Sequence, residues 1–188
     1  MRGESYLWLI RHAPVDGPRG VIHDSEAPAD IRDSQALARL RPQLPQPHTA
    51  ICSPARRTRE TAAALGLAPH VDAAFREQGF GAWTGRRHAD IEREMGAAYH
   101  EFWRAPASNR PPGGESFADQ IARVQHGIDR LPEGPVILVV HSGTIRAALA
   151  IALGISAENA LRFVIDPFSV TRLDRLATAW RVVTVNQR

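Results

Sequence analysis

The sequence has no lysine; all 23 basic residues are arginine. It has one cysteine, Cys52, and aromatic residues make up only 6%. A single cysteine excludes an internal disulfide framework and a multi-cysteine metal site. Long apolar runs are also missing, and none approaches the roughly 20 residues of a bilayer-spanning helix. No basic run carries interleaved aromatics, and a net charge of +3 is too small to point to nucleic acid. The apolar run Tyr6–Ile10 is short and follows the acid Glu4, which does not read as a signal peptide, so a cytoplasmic location is expected. Repeats and low-complexity tracts are absent. The 188 residues, 44% hydrophobic and 23% charged, fit one globular domain, 1–188, with a sizeable core.

Within those limits, apolar patterning places the elements. Tyr6–Ile10 reads as a buried strand that stops at Arg11-His12. Asp33–Leu44 carries Leu37, Leu40 and Leu44 at helical spacing. Thr49–Cys52 reads as a second strand, with Ser53 as N-cap and Pro54 at the first position of a helix running to Leu65. A short extended piece lies near His70–Asp72, and one helix is expected over His88–Phe102. Ser116, with Asp119 three residues on, marks a capping box before the stripe Phe117, Ile121, Val124, Ile128 and Leu131. The continuous run PVILVV, Pro135–Val140, reads as a strand buried on both faces, and a helix is expected over Gly143–Leu153. Arg162–Ile165, Val170–Leu173 and Trp180–Val185 read as further strands, including an antiparallel edge pair. The expected fold is a three-layer α/β/α sandwich with a mostly parallel central sheet and an antiparallel edge.

Ligands of such sheets bind beyond the carboxyl ends of the strands. Three of those ends carry Arg11-His12, Ser53 with an arginine-rich helix start, and His141. Two imidazoles, arginine forks and helix N-termini suit a dianionic phosphoryl group, and neutral imidazole is a competent nucleophile near neutral pH. Cys52 offers an alternative nucleophile, but the C-x5-R spacing of cysteine phosphatases fails because the sixth residue on is Thr58. Ser142 in HSGT lacks a G-x-S-x-G elbow.

The blocks LIRHA (9–13), SPARRTRETA (53–62), FREQGFGAWTG (75–85), PPGGES (111–116) and VVHSGTIR (139–146) occur in this order. Together they resemble the histidine phosphatase superfamily, in the branch of phosphoglycerate mutases and small phosphatases. The resemblance implies a phosphomonoesterase of the histidine acid-base type, with His12 as nucleophile. It places Arg11, Arg57, His141 and Ser142 on the phosphate and Glu77 as proton donor. It implies no metal or other cofactor, a small-molecule phosphate ester as substrate and inorganic phosphate as product, with no membrane partner. Residues 73–115 are expected to be an insertion at the mouth of the site. RHAPVDGPRGVIHDSEAP loosely resembles the α-ribazole phosphatases, which makes α-ribazole 5′-phosphate the first substrate to consider. Mutase-type transfer and a phosphate-binding module without activity are the alternatives. Ala13 and Ser142 stand where glycines are usual, and small residues are expected to preserve the backbone path. Arg59 and His23 are candidate helpers, Arg146 is expected in a structural ion pair, and His48, His70, His88, His100 and His126 are read as ordinary surface or loop residues.

Overall fold

The computed structural model describes residues 3–188. Its centre is a six-stranded sheet in the order β3-β2-β4-β1-β5-β6. The strands are β1 (Ser5–Arg11), β2 (Thr49–Cys52), β3 (His70–Val71), β4 (Gly134–Val140), β5 (Val170–Arg175) and β6 (Trp180–Gln187). β1, β2, β3 and β4 are mutually parallel, while β5 and β6 run antiparallel at one edge, as the sequence patterning predicts.

Alternation along the central strands feeds two cores. Leu7, Leu9, Val136, Leu138 and Val140 face α5 (Phe117–Asp129) and α6 (Ser142–Leu153). Ile10, Ile137, Val139 and Cys52 face α1 (Ser34–Leu40) and α2 (Arg56–Ala64) on the opposite side. Burying each such aliphatic side chain contributes about 1.5–3 kcal/mol. The sheet thus gives the termini of β1, β2 and β4 a rigid base. No helix among the described residues is long and apolar enough to cross a membrane.

Four expectations change. Asp33 caps α1 through its side chain, but the helix proper ends at Leu40 and the three residues beyond it tighten into a 3₁₀ turn containing Pro42. α2 begins at Arg56 with Ala55 as N-cap, so Ser53 lies before the helix, where its Oγ accepts from Ala55 N at 3.3 Å. The expected helix over 88–102 is two helices, α3 (His88–Met95) and α4 (Ala97–Arg104), broken at Gly96 with φ +48°. Arg162–Ile165 is no strand; it follows α7 (Ala157–Ala160), and its carbonyls serve arginines instead of a neighbouring strand. Arg146 Nε donates to Phe163 O at 2.8 Å and Arg11 Nη1 to Ile165 O at 2.5 Å.

Candidate active site

The parallel register of β1 with β4 pairs Arg11 with Val140, so His12 and His141 leave adjacent strands side by side. His12 N donates to Val140 O at 3.0 Å, and the two rings lie edge to face with centroids 5.0 Å apart. β2 ends level with them, and Ser53 N donates to Val139 O at 3.2 Å. Ser53 Oγ lies 2.8 Å from His141 Nε2. That contact is the use of Ser53 that the capping reading missed. The block Ser-Pro at a strand end carried the position but not the partner.

His12 Nδ1 lies 2.5 Å from Ala13 O. A carbonyl only accepts, so Nδ1 carries the proton and Nε2 keeps its lone pair. Burial, followed by the neighbouring His141 and Arg57, holds His12 well below its ordinary titration range. Burial does the same to His141, assisted by Arg57 and Arg11. Both rings are therefore neutral near pH 7. Ala13 N donates to Thr61 Oγ1 at 3.0 Å, and Thr61 Oγ1 donates to Arg57 O at 2.7 Å, which ties the His12 loop to α2. Neither Ala13 nor Ser142 has a positive φ, so neither position requires glycine for its backbone.

Arg57 is distinguished from its neighbours by burial. It is 6% exposed and donates to Asp24 O at 2.6 Å, whereas Arg56 pairs with Glu60 on the surface. Arg59 is exposed and outside the cavity wall. Arg11 Nε and His141 Nδ1 are buried without a protein partner. Such atoms fit a bound oxyanion that accepts from them. Arg146 makes no ion pair among the described residues; it lines the same cavity, which corrects the expected structural role. Burial lowers the titration ranges of Arg11, Arg57 and Arg146, and Glu77 acts in the opposite sense on all three.

Glu77 enters from the loop after the 3₁₀ turn Ala73–Phe75. That loop is held by its carbonyls. Arg123 Nη1 donates to Ala74 O at 2.8 Å and Arg76 O at 3.1 Å, and Thr144 Oγ1 to Phe75 O at 3.1 Å. Glu115 of the PPGGES block accepts from Gly79 N at 2.9 Å and pairs with Arg123. Ser116 forms the expected capping box with Asp119. Glu77 Oε1 accepts from Gln78 N at 3.0 Å, and Oε2 faces Gly143 N at 3.4 Å.

His12, Arg11, Arg57, Glu77, His141 and Ser142 all line one open cavity of about 1090 Å³. Its lining also includes Phe80, His88, Phe102 and Trp103 from 73–115, together with His23 and Asp24. His88 is thus more than a surface residue; it packs on Trp103 with ring centroids 5.8 Å apart and lies 3.1 Å from Tyr99 Oη. Cys52 is fully buried and its thiol is pushed up by burial, which removes it as a nucleophile. Among the described residues no cluster of three or more His, Cys, Asp or Glu is arranged to hold a metal.

Comparison with known proteins bears on this geometry. A glucosyl-3-phosphoglycerate phosphatase of Mycobacterium tuberculosis is 35% identical over 173 residues, covering 81% of this chain and 77% of that protein. The native structure of the mycobacterial glucosyl-3-phosphoglycerate phosphatase superposes with a TM-score of 0.83 at 27% identity, covering 98% of this chain and 100% of the other. The adenosylcobalamin/α-ribazole phosphatase of Escherichia coli is 25% identical, covering 97% of this chain and 91% of that protein. A bifunctional protein of M. tuberculosis is 36% identical over 129 residues, and the match spans 64% of this chain but only 35% of that longer relative. The family model of the histidine phosphatase superfamily, branch 1, matches residues 7–188, which include His12, His141, Arg11, Arg57 and Glu77. With the paired imidazoles at adjacent strand ends, this match places the chain in the histidine phosphatase superfamily.

Proposed function

We propose that the chain is a phosphomonoesterase that works through a phosphohistidine on His12. The observation that carries this reading is the neutral His12 ring, with Nδ1 tied to Ala13 O and Nε2 free, between Arg11, Arg57 and His141. Nε2 attacks phosphorus as the ester P–O bond breaks, and Glu77 gives its proton to the leaving alkoxide. Arg11, Arg57 and His141 take the charge on the non-bridging oxygens. Water then attacks phosphorus, its proton passes to Glu77, the P–N bond breaks, and inorganic phosphate leaves. Charge stabilisation comes from guanidinium groups, so no step is assigned to a metal.

The substrate is proposed to be a small phosphorylated metabolite whose alcohol carries a ring. The cavity is at the upper end of small-molecule sites, roughly 300–1,000 Å³, and far exceeds the volume of a three-carbon ester. Its lining includes Phe80, Phe102, Trp103 and Phe117. α-Ribazole 5′-phosphate and glucosyl-3-phosphoglycerate, the compounds named for two relatives, both carry rings and head the panel to assay. The test of the reaction is hydrolysis of p-nitrophenyl phosphate in excess EDTA, wild type beside His12→Ala. Turnover that survives chelation and is lost in the variant supports the reading. Activity retained by His12→Ala overturns it.

A further inference from the structure

α5 has one residue that its packing does not call for. Gln120 lies three residues after Phe117 and four before Val124, in the stripe that faces the core, and it has no exposed surface. An apolar side chain there would avoid burying an amide, which is costly when one end is unpaired. One end is unpaired, since Gln120 Oε1 is buried without a partner. The other end is not idle: Nε2 donates to Glu77 Oε1 at 3.1 Å and to Arg76 O at 3.4 Å. Glu77 Oε1 thus takes two N–H groups, from Gln78 and Gln120, and Oε2 takes a longer one from Gly143 N, at 3.4 Å, in the first turn of α6.

Gly143 shows how tightly this pair is held. A Cβ there would fall 2.2 Å from Glu77 Oε1 and 2.8 Å from Gln120 Oε1. The absence of a side chain at that position is what lets carboxylate and amide meet beside the helix N-terminus.

We propose that Gln120 is the positioning residue of the proton donor. It fixes which oxygen of Glu77 faces the leaving group by holding Oε1 with its amide. This rests on the reading of Glu77 as the proton donor. The other charged groups around Glu77 are Arg11 on β1, Arg57 on α2, Arg146 on α6, and Arg123 with Arg76 and Glu115 beside the loop. All of them remain in the variants below.

The experiment compares two substrates. A p-nitrophenolate leaves without a proton, whereas the alkoxide of glycerol phosphate needs one. Gln120→Leu should lower kcat/KM for glycerol phosphate roughly tenfold more than for p-nitrophenyl phosphate. Gln120→Glu keeps the shape and has a donor only while its own carboxyl is protonated. Its glycerol phosphate activity should recover toward wild type at acid pH and fall away as pH rises. Melting curves confirm that both variants fold. Glu77→Gln is the control and should show the largest leaving-group preference. If it shows the preference and neither Gln120 variant does, the Gln120 inference is wrong and the Glu77 reading stands. Equal losses on both substrates with no pH effect would make Gln120 a packing residue. If Glu77→Gln shows no preference, both readings fall together.

Discussion

His12 and His141 are held neutral by burial among cations, and that arrangement has a cost at low pH. A histidine in an unfolded chain titrates near about 6.5. In the folded protein both titrate well below that, so between the two values the unfolded chain binds more protons. Their contribution to stability is therefore complete above pH ~6.5 and is lost as pH falls from there toward the folded values. The expected result is a melting temperature that drops between about pH 7 and pH 5. His12→Asn should flatten that slope, because one of the two suppressed titrations is gone. Melts of wild type and variant across the same buffers check it, and parallel slopes would show that other groups dominate. Arg57 makes a related point at this scale. The run Arg56, Arg57, Arg59 cannot be resolved by spacing alone, since three arginines on one short helix all look solvated. Burial by the Asp24 loop separates them, and that loop is distant in sequence.

At the scale of elements, the first turn of α6 does more than end a strand. Gly143→Ala places a methyl inside contact distance of Glu77 and Gln120. Either the carboxylate moves or α6 shifts, and misplacement of a reacting group by about 1 Å can cost on the order of a hundredfold in rate. The variant should lose at least tenfold in kcat on glycerol phosphate while its circular dichroism stays that of the wild type; full activity would mean that Glu77 has another productive position. Ser53→Ala tests the end of β2 in the same way. It leaves His141 Nε2 without its hydroxyl, and the expected cost is about 1–3 kcal/mol with a fall in kcat; a change no larger than a surface substitution would remove Ser53 from the site. The parallel strands and α5 were legible because long apolar runs and a capping box are local signals. The misread elements depended on distant partners. Ile91, Met95, Tyr99 and Phe102 keep helical spacing straight through Gly96, so only the glycine hinted at the break. Arg162–Ile165 has strand-like composition, but its carbonyls go to Arg146 and Arg11, and no pattern within the segment announces that. Ser53 and Gln120 were missed for the same reason, because their partners lie 88 and 43 residues away.

The whole molecule divides the work between a rigid sheet and the segment over its edge. The residues proposed to hold the phosphoryl group include Arg11, His12 and His141 at the ends of β1 and β4, whereas half of the chain's twelve aromatic residues lie within 73–115. That segment builds a small core of its own from Trp83, Ile91 and Phe102, with Ile22 packed against them. We propose that it acts as a specificity lobe, able to vary without disturbing the strand ends. Trp103 is the residue to test. It is 41% exposed yet lines the cavity, meeting Phe102 and Tyr99 edge to face and His88 at a tilt. Its removal should change stability by little, since it is not in that small core. If ring-bearing alcohols stack there, the contact is worth about 0.5–1.5 kcal/mol, a factor of roughly two to ten. Trp103→Ala should therefore lower kcat/KM for α-ribazole 5′-phosphate by that factor relative to glycerol phosphate, mostly through KM. The ratio of the two substrates cancels any general loss of active enzyme. A ratio unchanged from the wild type would place the alcohol elsewhere in the cavity and leave the aromatic wall as packing alone.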